Sequence, residues 1–376
     1  MPFWPILIIA ATLFVAYANG ANDNFKGVAT LFGSGTADYR KALWWATVTT
    51  LAGSLSAFFL ATRLIPIFQG KGLVPASLAQ SQPFVTAVIL GAALTVAAAT
   101  KVGLPISTTH SLTGALFGSG FVAMGFDLGF RTLLSSVFLP LLVSPFVAVA
   151  LAGLAYPLLR FVIRTAGVTK ESCICIANEL VPVAVTAEGY ATSEARKSLH
   201  VIVDRDTECV QRLSGTMFGV NAQSLIDLGH FLSAGAISFA RGLNDTPKIV
   251  ALGLVAGALN LQSSIALVAI VMATGGLWSA RKVAETMSKR ITGMDPDQGF
   301  LANTVASVSV IFASKWGLPV STTHVSCGAL FGIGMANGHA RWGVIGTILL
   351  AWVLTLPLTA VTSGVAYAVL LHMTTS

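Results

Sequence analysis

"KVGLPISTTHSLTGALFGSG" spans residues Lys101–Gly120, and "KWGLPVSTTHVSCGALFGIG" spans Lys315–Gly334; fourteen of the twenty positions are identical. A second pair precedes each of them. "FVAYANGANDNFKGVATLF" (Phe14–Phe32) and "AISFARGLNDTPKIVALGL" (Ala236–Leu254) share seven of nineteen positions. The two stretches occur in the same order in both halves, offset by 222 and then by 214 residues. Chance does not produce this, so the chain carries an internal duplication.

Composition sets the medium. The 376 residues are 55% hydrophobic and 10% charged, against about 25% charged in ordinary soluble domains. Long apolar runs cover Phe3–Tyr17, Ala42–Thr62, Pro83–Thr100, Thr132–Ile163, Ile249–Thr274 and Trp342–Leu371. They are continuous rather than alternating, which argues for helices in a bilayer and against a barrel. The expected fold is an all-α polytopic membrane protein with two internal repeats, re-entrant helical hairpins and broken helices. "AYANGA" resembles a signal-peptidase site, but Met1-Pro-Phe-Trp lacks a basic start and the pattern returns deep in the chain, so the first segment reads as retained. The net charge of +7 fits basic cytoplasmic edges such as Arg281, Lys282, Lys289 and Arg290 rather than nucleic acid. Cys173, Cys175, Cys209 and Cys327 match no zinc or redox spacing.

Seven of the fifteen acids fall between Lys170 and Arg212. The expected organisation is therefore a first transmembrane repeat over 1–165, a polar linker over 166–224 and a second repeat over 225–376. Within the linker, "EARKSLHVIVDRDTECVQRL" suggests an amphipathic helix.

The Gly-Leu-Pro-x-Ser-Thr-Thr-His stretches lie between apolar segments of roughly 15–18 residues, marginal for a full crossing of about twenty. Pro105 and Pro319 end one helix, and Ser107 and Ser321 cap the next. The tip of such a hairpin offers free amides, hydroxyls and the positive end of a helix dipole, which together suit an anion. Ser107, Thr108 and Thr109 and their counterparts Ser321, Thr322 and Thr323 are the candidate donors.

Asp23 and Asp245 lie at bilayer depth, where a charge costs about 2.5–3.5 kcal/mol on insertion scales. Lys26 and Lys248 follow at three residues, within helical reach as charge partners. Asn22, Asn244 and the aspartates are hard oxygen ligands for a small cation, to which Ser107 and Ser321 can add hydroxyls. Gly20 and Gly242 would let the helix unwind and expose carbonyls. Asn24 and Thr246, beside the aspartates, join the candidate anion contacts. Each half thus supplies one acceptor-rich and one donor-rich element, suited to a cation beside an anion. Asp227 and His230 have no counterpart in the first half; they read equally as an asymmetric coupling site or as residues near a helix end. His110 and His324 close the tips, and no oriented nucleophile or metal partner accompanies them, so an enzyme is not expected.

"GANDNFKGVA" and "GLNDTPKIVA", with the paired "GLPISTTH" and "GLPVSTTH", resemble the inorganic phosphate transporter (PiT) family over both halves. The usual family motif is G-A-N-D-V-A-N-A, from which Asn24–Gly27 and Thr246–Ile249 depart. The resemblance implies inverted repeats, a linker facing the cytoplasm, and inward movement of phosphate with a cation across the cytoplasmic (inner) membrane. In that family the cation is sodium or a proton, of which sodium is the one expected here, held by Asn22, Asp23, Asn244, Asp245, Ser107 and Ser321, with a proton as the alternative; some bacterial relatives carry sulfate. No cofactor other than the coupling ion is expected, and assembly as a homo-oligomer is left open. Physics adds two constraints. A carboxylate accepts the proton that phosphate keeps and sulfate lacks. Two aspartates and a phosphate dianion together carry four negative charges, which a low-dielectric site holds only with counter-charge. A sulfate carrier, a membrane-embedded phosphate-ester hydrolase and an anion channel are the rival readings.

Overall fold

In a computed structural model of the chain, residues 3–165, 172–182, 193–205, 213–214, 220–291, 295–340 and 342–375 are described. Their helices follow the apolar runs. In the first half these are α1 (Phe3–Asp23), α2 (Tyr39–Leu60), α3 (Gln82–Lys101), α4 (Thr108–Met124) and α5 (Leu139–Thr165). In the second they are α6 (Ala222–Gly253), α7 (Leu261–Ser279), α8 (Pro296–Trp316), α9 (Thr322–Ala336) and α10 (Trp342–Thr375). Among the described residues, six helical stretches are long and apolar enough to cross a membrane: Phe3–Gly33, Tyr39–Leu60, Gln82–Lys101, Phe130–Val162, Leu261–Ser279 and Trp342–Thr374. Burial is distributed as lipid demands. Leu142, Phe146 and Leu154 on α5 and Leu350 and Val353 on α10 are exposed, while Asn19, Asp23, Arg241, Asp245 and Lys248 are buried.

The chain divides into two compact units, residues 1–155 with 230–376, and residues 156–229. The first unit holds the membrane helices apart from the end of α5 and the start of α6, which belong to the second. Its halves are interlocked through reciprocal contacts. A Cβ on Gly20 of α1 would fall 1.9 Å from the Met272 carbonyl oxygen of α7, and one on Gly242 of α6 would fall 2.1 Å from the Thr50 carbonyl oxygen of α2. Gly275 meets the Tyr17 carbonyl and Gly53 the Phe239 carbonyl in the same exchanged sense. All of these positions are related by the offset of 222 residues found in the sequence. Gly118 of α4 against Ala360 of α10, and Gly332 of α9 against Val149 of α5, form another exchanged pair. Reciprocity of this kind is what a two-fold relation between equivalent surfaces produces, and small residues are what let helix backbones approach in lipid.

The sequence suggests that Gly20 and Gly242 unwind their helices; instead both lie in continuous helix and make room for a neighbour's carbonyl. The break in the first half comes later. Helix α1 ends at Asp23, a 3₁₀ turn covers Lys26–Val28, and a short helix covers Ala29–Gly33. In the second half α6 runs unbroken through Asp245 and Pro247 to Gly253.

The Gly-Leu-Pro turns form as pairs. Gly103 and Gly317 both adopt φ +75°, which a residue with a Cβ rarely does. The Leu104 amide returns to the Ala99 carbonyl at 2.9 Å and the Leu318 amide to Ala313 at 2.8 Å. The left-handed glycine ends the helix, and the proline follows in extended chain. Helices α3 and α8 have 20 and 21 residues, longer than expected, while α4 and α9 have only 17 and 15. Each packs on its partner across the turn.

The second unit corrects the linker. Residues Ser193–Arg205 form a strand, β2, not a helix; it pairs antiparallel with β1 (Ser172–Pro182), with Ile176 opposite Val201. The β-branched run Val201-Ile202-Val203 favours a pleated strand. Short strands β3 (Leu213–Ser214) and β4 (Val220–Asn221) also pair with β1. Residues 206–212 of the expected helix, with Cys209, lie outside the described residues, and its last residue, Leu213, opens β3.

Candidate functional site

Asn19, Asn22 and Asp23 fall on one face of the last turns of α1. Asn22 is a clamp: its amide donates to Thr100 Oγ1 at 2.9 Å and the Leu104 carbonyl at 3.0 Å, and its oxygen accepts from the Ile106 amide at 3.2 Å. Asn244 does the same for the other turn, donating to the Val320 carbonyl at 3.1 Å and accepting from Ser314 at 3.1 Å. It also donates to Asp245 at 3.0 Å. These bonds fix each Gly-Leu-Pro turn against the aspartate of its own half.

The turns deliver helices α4 and α9 head-on. Ser107 and Ser321 are their N-caps, with φ/ψ of −97°/116° and −97°/115°, each accepting from the histidine amide three residues on at 3.2 Å. The tips meet. Thr109 donates to the Val320 carbonyl at 3.2 Å, and the His110 and His324 rings lie 4.1 Å apart. His324 in turn stacks on Trp352 at 3.5 Å.

The charged groups sit where the tips meet. Lys26 pairs with Asp23, and its ammonium also donates to the Ile106 carbonyl and to Thr323 Oγ1 at 3.0 Å. Lys248 reaches Asp245 at 3.5 Å, the Val320 carbonyl at 2.9 Å and Thr109 Oγ1 at 2.6 Å. Each lysine therefore binds its own half's aspartate and turn carbonyl, and the other half's threonine. Asp23 Oδ2 also accepts from Thr108 at 3.1 Å and Asn19 at 3.0 Å, and the same Asn19 amide lies 3.3 Å from Asp245 Oδ2. One side-chain amide thus bridges the two carboxylates. All these groups are buried.

Of the residues expected from sequence, Asp23, Lys26, Thr108, Thr109, Asp245, Lys248 and Thr323 converge, and Thr322 is buried as the first residue of α9. Asn22, Asn244, Ser107 and Ser321 surround them as clamps and caps. Asn24 turns aside to Thr47 at 2.8 Å, and Thr246 to the Met272 sulfur at 3.6 Å. Asp227 accepts from Gln223 at 2.9 Å, and His230 contacts Thr30 at 2.9 Å; neither bond leads to the carboxylates.

Two site residues escaped the sequence reading, Asn19 and Arg241. They occupy the same position of the two repeats, 222 apart. Arg241 is fully buried and donates through Nη2 to Asn24 at 3.2 Å and Thr50 at 3.0 Å, while its Nε and Nη1 have no hydrogen-bond partner. A lone arginine in an apolar run was the available signal.

A model of the phosphate transporter family matches residues 19–363, which takes in both halves of this cluster. The chain belongs to the phosphate transporter family. It is accordingly a multi-pass membrane transporter and not an enzyme. Within the family it is 28% identical to the chloroplastic inorganic phosphate transporter 2-1 of Arabidopsis thaliana, over 92% of this chain and 69% of that one. It is 26% identical to the Rhizobium meliloti protein named "Probable low-affinity inorganic phosphate transporter", over 97% and 96% of the two chains. A solved structure named "The sodium-dependent phosphate transporter" shares the fold, with TM-score 0.75 and 21% identity over 98% of this chain and 99% of that one. Against the family motif G-A-N-D-V-A-N-A, counting from Gly20 and Gly242 places Lys26 and Lys248 at the second asparagine.

Proposed function

We propose that the chain imports inorganic phosphate across a cytoplasmic membrane by symport with a cation. The observation that carries this reading is the buried meeting point of both halves: two carboxylates, two ammonium groups and the threonine tips of α4 and α9. Phosphate would lie among Asp23, Thr108, Thr109, Asp245, Thr322 and Thr323. Hydroxyls and helix N-termini would hold its oxygens, and a carboxylate would accept the proton that phosphate retains and sulfate lacks. The reciprocal helix contacts and the short α4 and α9 support two inverted repeats with re-entrant hairpins, the architecture in which transporters bind substrate at the repeat interface. The insert over 166–224 would then face the cytoplasm.

Sodium is one candidate for the coupling ion, because the fold neighbour is named for it. A proton is the second, and one observation favours it: ammonium groups already occupy oxygen positions that a free ion would use. The test is labelled phosphate uptake into proteoliposomes with sodium and pH gradients imposed separately. Accumulation against a phosphate gradient, driven by either cation, is the expected result. Equilibration without any cation gradient would indicate a channel, product release from a phosphate ester in detergent an enzyme, and full competition by sulfate a sulfate carrier.

A further inference from the structure

Lys26 and Lys248 are each surrounded by one carboxylate oxygen, one turn carbonyl and one threonine hydroxyl, the last from the opposite half. A carboxylate, a carbonyl and a hydroxyl form the oxygen set that a small hard cation takes. In both halves the three N–H groups of an ammonium fill that set completely. We propose that Lys26 and Lys248 are tethered cations, standing where coupling sodium ions would otherwise sit, so that phosphate uptake by this chain does not require sodium. The inference rests on the phosphate-transport reading of the same site.

Charge supports it. Arg241 lies within electrostatic reach of both Asp23 and Asp245. With the histidines neutral, Asp23, Asp245, Lys26, Lys248 and Arg241 together carry one net positive charge. A phosphate monoanion brings the cluster to neutrality without any mobile metal ion. A dianion leaves one negative charge, which a single proton cancels. A site built from aspartates alone would need several free cations to avoid an untenable buried charge. Here the chain carries them on side chains, and each is held by three oxygens rather than one. The opposite-half threonine also makes each ammonium a fastener between the tips. Release of the anion then requires the tips to part from fixed charges, not from departing ions.

The test is labelled inorganic phosphate uptake by the full-length protein in proteoliposomes, with sodium replaced by choline at constant pH. The unmodified protein is expected to change by less than about twofold. Lys26→Asn and Lys248→Asn each leave a buried carboxylate without its partner and open the oxygen set to a free ion. Both variants are expected to gain about tenfold stimulation by sodium, within the usual range of coupling factors. Binding of radioactive sodium to detergent-solubilised protein provides a second reading: low for the unmodified chain, raised in the double variant. Uptake by the unmodified protein that collapses in choline overturns the tethered-cation assignment and leaves phosphate transport standing. Absence of phosphate uptake under every gradient overturns both. Should the variants fail to insert, the choline experiment on the unmodified protein decides alone.

Discussion

Helix α1 with the turn that follows it, and helix α6, carry the same four landmarks, Gly, Asn, Asp and Lys, yet handle them differently. In α1 the helix stops at Asp23 and lets Lys26 curl back onto it through a 3₁₀ turn. In α6 the helix continues, and Lys248 stays 3.5 Å from Asp245. Asn19 in α1 joins the two carboxylates, whereas its counterpart Arg241 turns to Asn24 and Thr50 with two nitrogens, Nε and Nη1, unpaired. The oxygen sets around the lysines are symmetric and their supports are not. Symmetry therefore supplies two equivalent charge positions, and the asymmetry gives the site a tighter side and a looser one.

The most severe way to break the comparison is at the carboxylates. Asp23→Asn and Asp245→Asn are each expected to lower phosphate uptake by at least about a hundredfold, since each strands a buried ammonium; uptake assays against normalised membrane protein decide it. Near-normal transport by both would remove the aspartates from the mechanism. Next come the exchanged glycines. Gly20→Ala and Gly242→Ala each drive a methyl group into a carbonyl, at a cost of about 1–3 kcal/mol. Equal losses of melting temperature in detergent are expected. A loss confined to one of them would end the two-fold argument. Arg241→Gln tests the asymmetry itself: it removes one buried positive charge and is expected to raise the KM for phosphate about tenfold, the scale of a unit charge acting at a distance in the interior, whereas Asn19→Ala should weaken it less. The smallest effect is at the clamps. Thr100→Val removes one bond to Asn22, worth about 1 kcal/mol, and should lower stability slightly while leaving uptake within about threefold.

Much of this was legible in the sequence because duplication is a strong signal. The spacing of 222 and 214 residues picked out Asp23 with Asp245 and Thr109 with Thr323 before any geometry was known. The meaning of Gly20 was not legible. A glycine in an apolar helix permits either an unwound backbone or a close neighbour, and only the partner, Met272, decides between them. That Asn24 and Thr246 bond to Thr47 and Met272 was illegible for a related reason: adjacency in sequence to an aspartate says nothing about which side of the helix a residue faces. Asn19 and Arg241 were overlooked because comparison of repeats rewards identity, and this position differs. In the insert, polar and apolar residues over Ser193–Arg205 fit two periods, and β-branching settled the choice.

The exchanged glycine contacts bear on how the protein is made. Helix α1 leaves the ribosome with a polar face and a groove cut for α7, a helix that begins only at Leu261. Lys26 likewise waits for Thr323. During that interval Lys26, Asp23 and Asn19 have one another, Ile106 and Thr108, but lack Thr323 and Asp245, which only the second half brings. The first half is completed only when its twin is present in the same membrane. Two fragments severed within the insert and synthesised in the same membrane should find one another, and either fragment alone should be degraded.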